Sequence, residues 1–429
     1  MASDLASLTA SEMLAALARH RVTSQRLVEA SLAAIVRRDR SLKSFVRLSP
    51  EARAEAARSD RRGVRRPLEG VPVGVKDIID TARLGTEYGA RIAAGHVPAH
   101  DATAVHRLRE AGAVVVGKCA TTEFAHMHPA ATRNPHDPTR TPGGSSSGSA
   151  AAVAAGLVPL ALGTQTGGSV IRPGSFCGVF AFKSSWGRTE THGIHELGRS
   201  LDTVGWFARS AEDLGLLGPV LLAGHQPART VTKPSFVRLR TPYDALASKA
   251  MLAACDDVAA RLAAAGAEVA RRRLPAWYKS ARDAHRVVIS VEASRAFARY
   301  AREQPTRLSA TLRDFIEKGQ AAEPDYAGAL AFGDRARVHL DQVFGDHDVL
   351  IVPAAAGEAP KGLGWTGDPV FNGFWSLLRV PCVSLPAARS RAGMPLGVQL
   401  VGRFGQDERL LAIASWVAER LKIGPVAPV

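Results

Sequence analysis

The segment Thr141–Gly156, TPGGSSSGSAAAVAAG, gathers serines and glycines ahead of a run of alanines. A flexible Gly/Ser linker would be solvated and would separate two domains. This one runs directly into AAAVAAGLVPLALG, which is interior material. A Gly/Ser loop that feeds a buried helix instead converges several backbone N–H groups on one spot. GSSSG formally matches the nucleophile-elbow pattern centred on Ser146, but that pattern needs a strand directly before it. The proline-bearing RNPHDPTRTPG precedes it here, which is not a central strand. A second Gly-Gly-Ser lies in GTQTGGSVIRPGSFCG, where Ser169 follows a strand-like run and two glycines. Backbone N–H groups crowded near that hydroxyl are the material of an oxyanion hole.

A serine nucleophile needs a base. Neither motif contains a histidine, His126-Met127-His128 lacks a third ligand at metal spacing, and no H-E-x-x-H occurs. A lysine serves as base when burial makes it neutral. Lys76 stands inside the apolar run VPVGVKDIID of a chain that has only ten lysines against 45 arginines. Two readings of it stand side by side: a neutral base, or a strand-end lysine paired with Asp77 or Asp80.

The surrounding pattern is that of a layered α/β protein. Thr9 and Glu12 form a T-x-x-E capping box, Thr23 caps a second amphipathic helix, and Glu51–Ser59 reads as a third. Gly70–Asp80 contains a buried strand, Asp101–Lys118 a helix, turn and strand, and Val158–Ser169 a strand that ends in a glycine turn. Asp346–Ala354 and Pro395–Arg403 read as strands and Gln406–Leu421 as a closing amphipathic helix. The whole of 1–429 reads as a single domain, with 225–345 a mostly helical, variable, substrate-side region inside it.

Mean hydropathy near zero, no apolar run of membrane-spanning length and no leader-like start point to a cytoplasmic chain without a membrane partner. Four scattered cysteines without a C-x-x-C fit free thiols, and neither a cofactor nor a metal is expected. The net charge of +15 is spread over the chain. Its two local clusters, Arg61–Arg66 and Arg271–Arg273, carry no interleaved aromatics, so nucleic acid is not expected as a partner.

Taken in order, GVKDIID, GGSSSGSAAAVAAG, GTQTGGSVIRP, FCGVFAFKSSWGR, SLDTVGWFARSAEDL and GMPLGVQLVGRFGQDERLL resemble the amidase signature family of serine hydrolases. The resemblance implies that family's fold, a large mixed twisted β-sheet covered by helices on both faces. It also implies a Ser–cis-Ser–Lys triad, with Lys76 as base, Ser145 as bridging serine after a cis Gly144–Ser145 peptide, and Ser169 as nucleophile. The N–H groups of Thr166, Gly167, Gly168 and Ser169 would form the oxyanion hole, with Ser146 supporting the network. Gln165 stands where the family commonly has Asp, Ser147 where glycine is common, Ser184 where Pro often follows Lys183, and Arg172 one place beyond the usual arginine.

These departures and the short chain favour a stand-alone amidase, a monomer or homodimer, acting on a small-molecule amide, aryl amide, ester or carbamate. The alternatives are the amide-hydrolysing A-type subunit of a glutamine-dependent amidotransferase, or a non-catalytic binding protein on the same fold. Trp206, Arg209, Phe371 and Trp375 are candidate substrate contacts, and His192–Ser210 is a candidate lid with glycine hinges. Core packing is the competing role for the aromatic rings. A pairing with Glu212 or Asp213 is the competing role for Arg209.

Overall fold

The structure is a computed structural model that describes residues 5–62 and 66–427; Gly63–Arg65, within the Arg61–Arg66 cluster, lie outside them, as do 1–4 and 428–429. Among the described residues one sheet takes eleven strands. They are β1 (Phe45–Leu48), β2 (Pro72–Lys76), β3 (Val114–Cys119), β4 (Leu160–Gln165), β5 (Phe180–Lys183), β6 (Thr203–Ala208), β7 (Ser235–Arg240), β8 (Glu268–Arg273), β9 (Val349–Pro353), β10 (Cys382–Arg389) and β11 (Pro395–Val401). Their order is β1-β3-β2-β4-β6-β5-β10-β11-β9-β7-β8. The sheet is mixed: β2 runs parallel to β3 and β4, and β7 parallel to β8 and β9, while β4, β6, β5, β10, β11 and β9 pair antiparallel in turn.

Side chains of a strand alternate between the two faces, and here both faces are buried. Val73, Val75, Val115, Leu160 and Leu162 enter one core, with the helices Thr103–Glu110, Ala211–Leu221 and Asp407–Leu421. Val114, Val116 and Ala161 enter another, with the helices Ser24–Leu42 and Ser147–Ala154. This is why the central strands read as unbroken apolar runs. The stretch 225–345 contributes five helices and also β7 and β8, so it extends the sheet as well as covering it. The Thr9–Glu12 box and the Thr23 cap form as expected.

Among the described residues no helix is long and apolar enough to cross a membrane. The stretch expected to be a lid ends instead in β6, a central strand, which places Trp206 in the core. Its ring is fully buried 4.6 Å from Phe182 and its Nε1–H donates to Leu214 O at 3.0 Å. Trp206→Ala is expected to destabilise the fold by about 3–5 kcal/mol. Urea denaturation measures this, and KM of the folded fraction should stay unchanged.

Candidate active site

Three crossings of the chain build the site. Lys76 ends β2, Ser145 and Ser146 precede the helix Ser147–Ala154, and Thr166–Ser169 form the turn that leaves β4. The Gly/Ser composition answers a packing demand. A Cβ on Gly148 would lie 2.1 Å from Ser44 O and 2.3 Å from Ala120 N, and Gly143 has φ +85°. The serines tie the tight backbone down: Ser147 Oγ–H donates to Gly143 O at 2.9 Å and Ser149 Oγ–H to Leu162 O at 2.8 Å. The Gly144–Ser145 peptide is cis.

Lys76 is fully buried, and its Nζ lies 2.8 Å from Ser145 Oγ and 2.7 Å from Thr164 Oγ1. Burial holds its pKa well below the usual lysine range, outweighing the opposite pull of the Asp202 carboxylate. Among the described residues Lys76 makes no ion pair with Asp77 or Asp80. Lys118 fills that place: its charge acts on both carboxylates, and its Nζ donates to Ile79 O, Thr81 Oγ1 and Thr86 Oγ1.

Ser145, Thr166, Gly167, Gly168 and Ser169 all line one cavity of about 620 Å³. The carbonyls of the turn are each held from behind. Thr166 O meets His285 Nε2 at 3.2 Å, Gly167 O accepts from Ser376 Oγ at 2.9 Å, and Gly168 O from Arg172 N–H at 3.1 Å. Ser169 O accepts from Ser146 N–H at 3.3 Å. Gln165 Oε1 takes the N–H groups of Val170 and Ile171 at 2.9 and 3.1 Å. A peptide plane carries C=O and the next N–H on opposite sides. Anchoring these carbonyls therefore fixes where the N–H groups of Gly167, Gly168 and Ser169 point. Among the described residues no protein acceptor meets them or Thr166 N–H. Such a set can hold a developing oxyanion without reorganisation. Ser146 stays outside the cavity; its Oγ accepts from Thr164 N–H at 3.4 Å and donates to Thr164 O at 3.2 Å.

Several residues that hold this arrangement carry no signal in their own stretch of sequence. His285 comes from the helix Ala281–Ala296, 119 residues from Thr166, and no local pattern marks it. Burial lowers its pKa to about 4, so it is a neutral imidazole at neutral pH. Asp202 accepts from Thr166 Oγ1 and from the N–H groups of Leu197 and Gly198 at 3.0 and 3.1 Å, and burial raises its pKa to about 6. That carboxylate, with His195 stacked on Phe297 at 5.4 Å, fastens the segment expected to be a hinged lid. Arg172 is buried in the cavity wall; its Nη2 donates to Gly144 O at 2.7 Å, while Nε and Nη1 have no partner among the described residues.

His285→Ala is expected to lower kcat by about tenfold and leave KM nearly unchanged, because it loosens the peptide plane that aims the Gly167 N–H without deleting that N–H. His285→Gln, which keeps an N–H donor, should recover part of the loss. Steady-state kinetics of both variants check this.

The other candidate contacts fall away from the cavity. Besides Trp206, Phe371 and Trp375 are buried in a second core, where Trp375 packs 4.1 Å from Phe374. Arg209 stands beside Gly156, and Asp213 is engaged by the N–H groups of Ala10 and Ser11. Aromatic residues expected to wall the pocket are taken up by apolar packing; Phe315 and His126, 4.1 Å apart, line it instead.

A mixed sheet with a buried lysine, two serines and a braced turn around one cavity is an arrangement able to attack an amide through a serine. The amidase family pattern matches residues 26–411, and the chain belongs to that family, the amidase signature hydrolases. It is 35% identical to the A-type subunit of glutamyl-tRNA(Gln) amidotransferase from Anaeromyxobacter sp. (strain K), over 99% of this chain and 98% of that protein. Its fold superposes on a crystal structure described as an amidase at TM-score 0.88, with 32% identity over 97% of this chain and all of that one. It also superposes on the A-type subunit of the Thermotoga maritima glutamyl-tRNA(Gln) amidotransferase at TM-score 0.83, with 26% identity over 100% of this chain and 99% of that one.

The A-type amidotransferase relatives overturn the expectation of a stand-alone enzyme that acts as monomer or homodimer on a small-molecule amide or carbamate without nucleic acid. They are by name subunits of an enzyme of glutamyl-tRNA, and they match along their whole length, so the short chain is no argument against that group. The departures at Gln165 and Arg172 are no argument either. Gln165 caps two N–H groups with its amide oxygen, and Arg172 still reaches the Gly/Ser loop.

Proposed function

We propose that this chain is the amide-hydrolysing A-type subunit of a glutamine-dependent amidotransferase, working in the cytoplasm with partner chains that use the released ammonia on a glutamyl-tRNA. The full-length similarity to A-type amidotransferase subunits carries this reading. The geometry supplies its chemistry. Ser169 is the nucleophile, Ser145 the relay and neutral Lys76 the base. Lys76 Nζ takes the proton of Ser145 Oγ as Ser145 takes that of Ser169. Ser169 Oγ then attacks the carboxamide carbon, and the N–H groups of Thr166, Gly167, Gly168 and Ser169 hold the oxyanion. The relay returns the proton to the leaving nitrogen, because an amine anion is a poor leaving group. Ammonia departs, and water cleaves the acyl-enzyme with the same relay as base. Arg172, a buried cation on the cavity wall, suits the carboxylate of an amino-acid amide.

The test is ammonia release from L-glutamine by wild type and Ser169→Ala, alone and after co-expression with the neighbouring subunits of an amidotransferase. Co-purification of those subunits with glutamine-dependent, Ser169-dependent ammonia release supports the reading. Turnover of simple aryl amides without any partner, and none of glutamine with them, overturns it.

A further inference from the structure

The carboxylates around the N-terminal helices are all engaged. Asp60 accepts the N–H groups of Ser24 and Gln25 at 2.6 and 3.0 Å and so caps the helix Ser24–Leu42. Asp39 is buried and accepts the N–H groups of Ser44 and Phe45 at 2.7 and 3.0 Å. Glu29 pairs with Arg53, Glu51 with Arg83 and Glu55 with Arg109. The arginines of the same two helices outnumber these acids, and the surplus lies outward. Arg26, Arg37 and Arg40 are exposed on the helix Ser24–Leu42, and Arg58, Arg61 and Arg62 are exposed at the end of the helix Ala52–Asp60. Among the described residues none of these six forms an ion pair.

At 100° per residue Arg26, Arg37 and Arg40 share one face of the helix. From Arg26 to Arg40 the face runs about 21 Å, the reach of several phosphates. The Asp60 cap and the Arg53–Glu29 pair lay the second helix antiparallel along the first, so Arg58, Arg61 and Arg62 stand at the Arg26 end. Exposed arginines in a row, with no ion pair among the described residues, are the electrostatic footprint of a polyanion.

We propose that the outer face of the helices Ser24–Leu42 and Ala52–Asp60 docks the phosphodiester backbone of a folded RNA. The site reads backbone charge and not sequence. It rests on the amidotransferase reading only for the identity of that RNA, a transfer RNA.

The probe is a fluorescently labelled transfer RNA, followed by anisotropy from 50 to 300 mM salt with the full-length chain. The triple variant Arg26→Gln/Arg37→Gln/Arg40→Gln is compared with a charge-matched control, Arg91→Gln/Arg299→Gln/Arg302→Gln, far from this face in sequence. The expected result is at least tenfold weaker binding by the first variant. Its log K against log salt slope should be shallower by about two to three, since each lost phosphate contact removes about 0.7–0.9. The control should keep the wild-type slope. Equal loss in both variants, or in neither, overturns the proposal. So does wild-type binding to phosphatidylserine vesicles that the triple variant loses while RNA binding persists, which would make the face a membrane contact. Ammonia release from glutamine is measured on the same preparations and should be unaffected by the triple variant. A chain that binds RNA through this face but hydrolyses no glutamine even with the neighbouring subunits co-expressed would sink the amidotransferase reading and leave the docking face standing.

Discussion

Ser169→Ala is expected to abolish amide hydrolysis, with kcat lowered by roughly 10⁶-fold, the scale seen when a serine hydrolase loses its nucleophile alone. The residual rate comes from binding and from the N–H groups that remain aimed at the carbonyl oxygen. The substitution removes one oxygen from a side chain on the cavity wall, so the fold should stay within about 0.5 kcal/mol of wild type. Its backbone links survive, because Ser169 O still accepts from Ser146 N–H. Ser145→Ala removes the relay and keeps the nucleophile, so its loss should be smaller and should show mainly in kcat. Ammonia release, a denaturant titration and trapping of an acyl-enzyme by mass spectrometry check the three statements. Activity surviving in Ser169→Ala, with acyl transfer to Ser145, would reverse the roles of the two serines.

What the sequence made legible follows from how local each cause is. The capping box at Thr9–Glu12, the valine-bearing runs of β2 and β3 and the apolar run that enters β4 are short-range signals, and the elements form where those signals lie. Lys76 and Ser169 stood out because a lone lysine in an apolar strand and Gly/Ser crowding are odd compositions, and Ser145 came only from the resemblance to the amidase signature family. The structure puts both serines on one cavity and Lys76 Nζ against Ser145 Oγ. The bracing residues were invisible for the opposite reason. His285 and Ser376 reach the Thr166–Ser169 turn from helices far along the chain, and each looks ordinary in its own segment.

Aromatic rings misled for a third reason. Trp206 and Trp375 have the size of pocket walls, but their positions on a central strand and a buried helix commit them to packing. The stretch Thr203–Ala208 follows two glycines of a loop, and the strand character of TVGWFA comes from pairing with β4 and β5 on either side. The partner question was not decided by any residue in the site. A triad is the same in a free amidase and in one chain of an assembly, and only similarity along the whole chain separates them.

Lys76→Met is expected to lower kcat on the order of 10⁴-fold while keeping most of the side-chain volume. Lys76→Arg should be as inactive, although it keeps a cation, because a guanidinium does not give up its proton. An active Lys76→Arg would mean that positive charge, and not a neutral base, is what the site needs. The same buried amine leaves a signature in stability. In the folded chain burial keeps Lys76 largely unprotonated below the usual lysine range, whereas the unfolded chain binds a proton there up to about pH 10.4. The unfolded state therefore holds more protons, and stability rises with pH across the window from the depressed native pKa to about 10.4. Lys76→Met removes that proton from both states. The stability of wild type relative to the variant should then climb with pH by up to about 1.4 kcal/mol per unit inside that window. Urea titrations of both proteins at pH 7, 8 and 9 measure the difference. A difference that stays flat would place a charged lysine in the fold and remove the base from the mechanism.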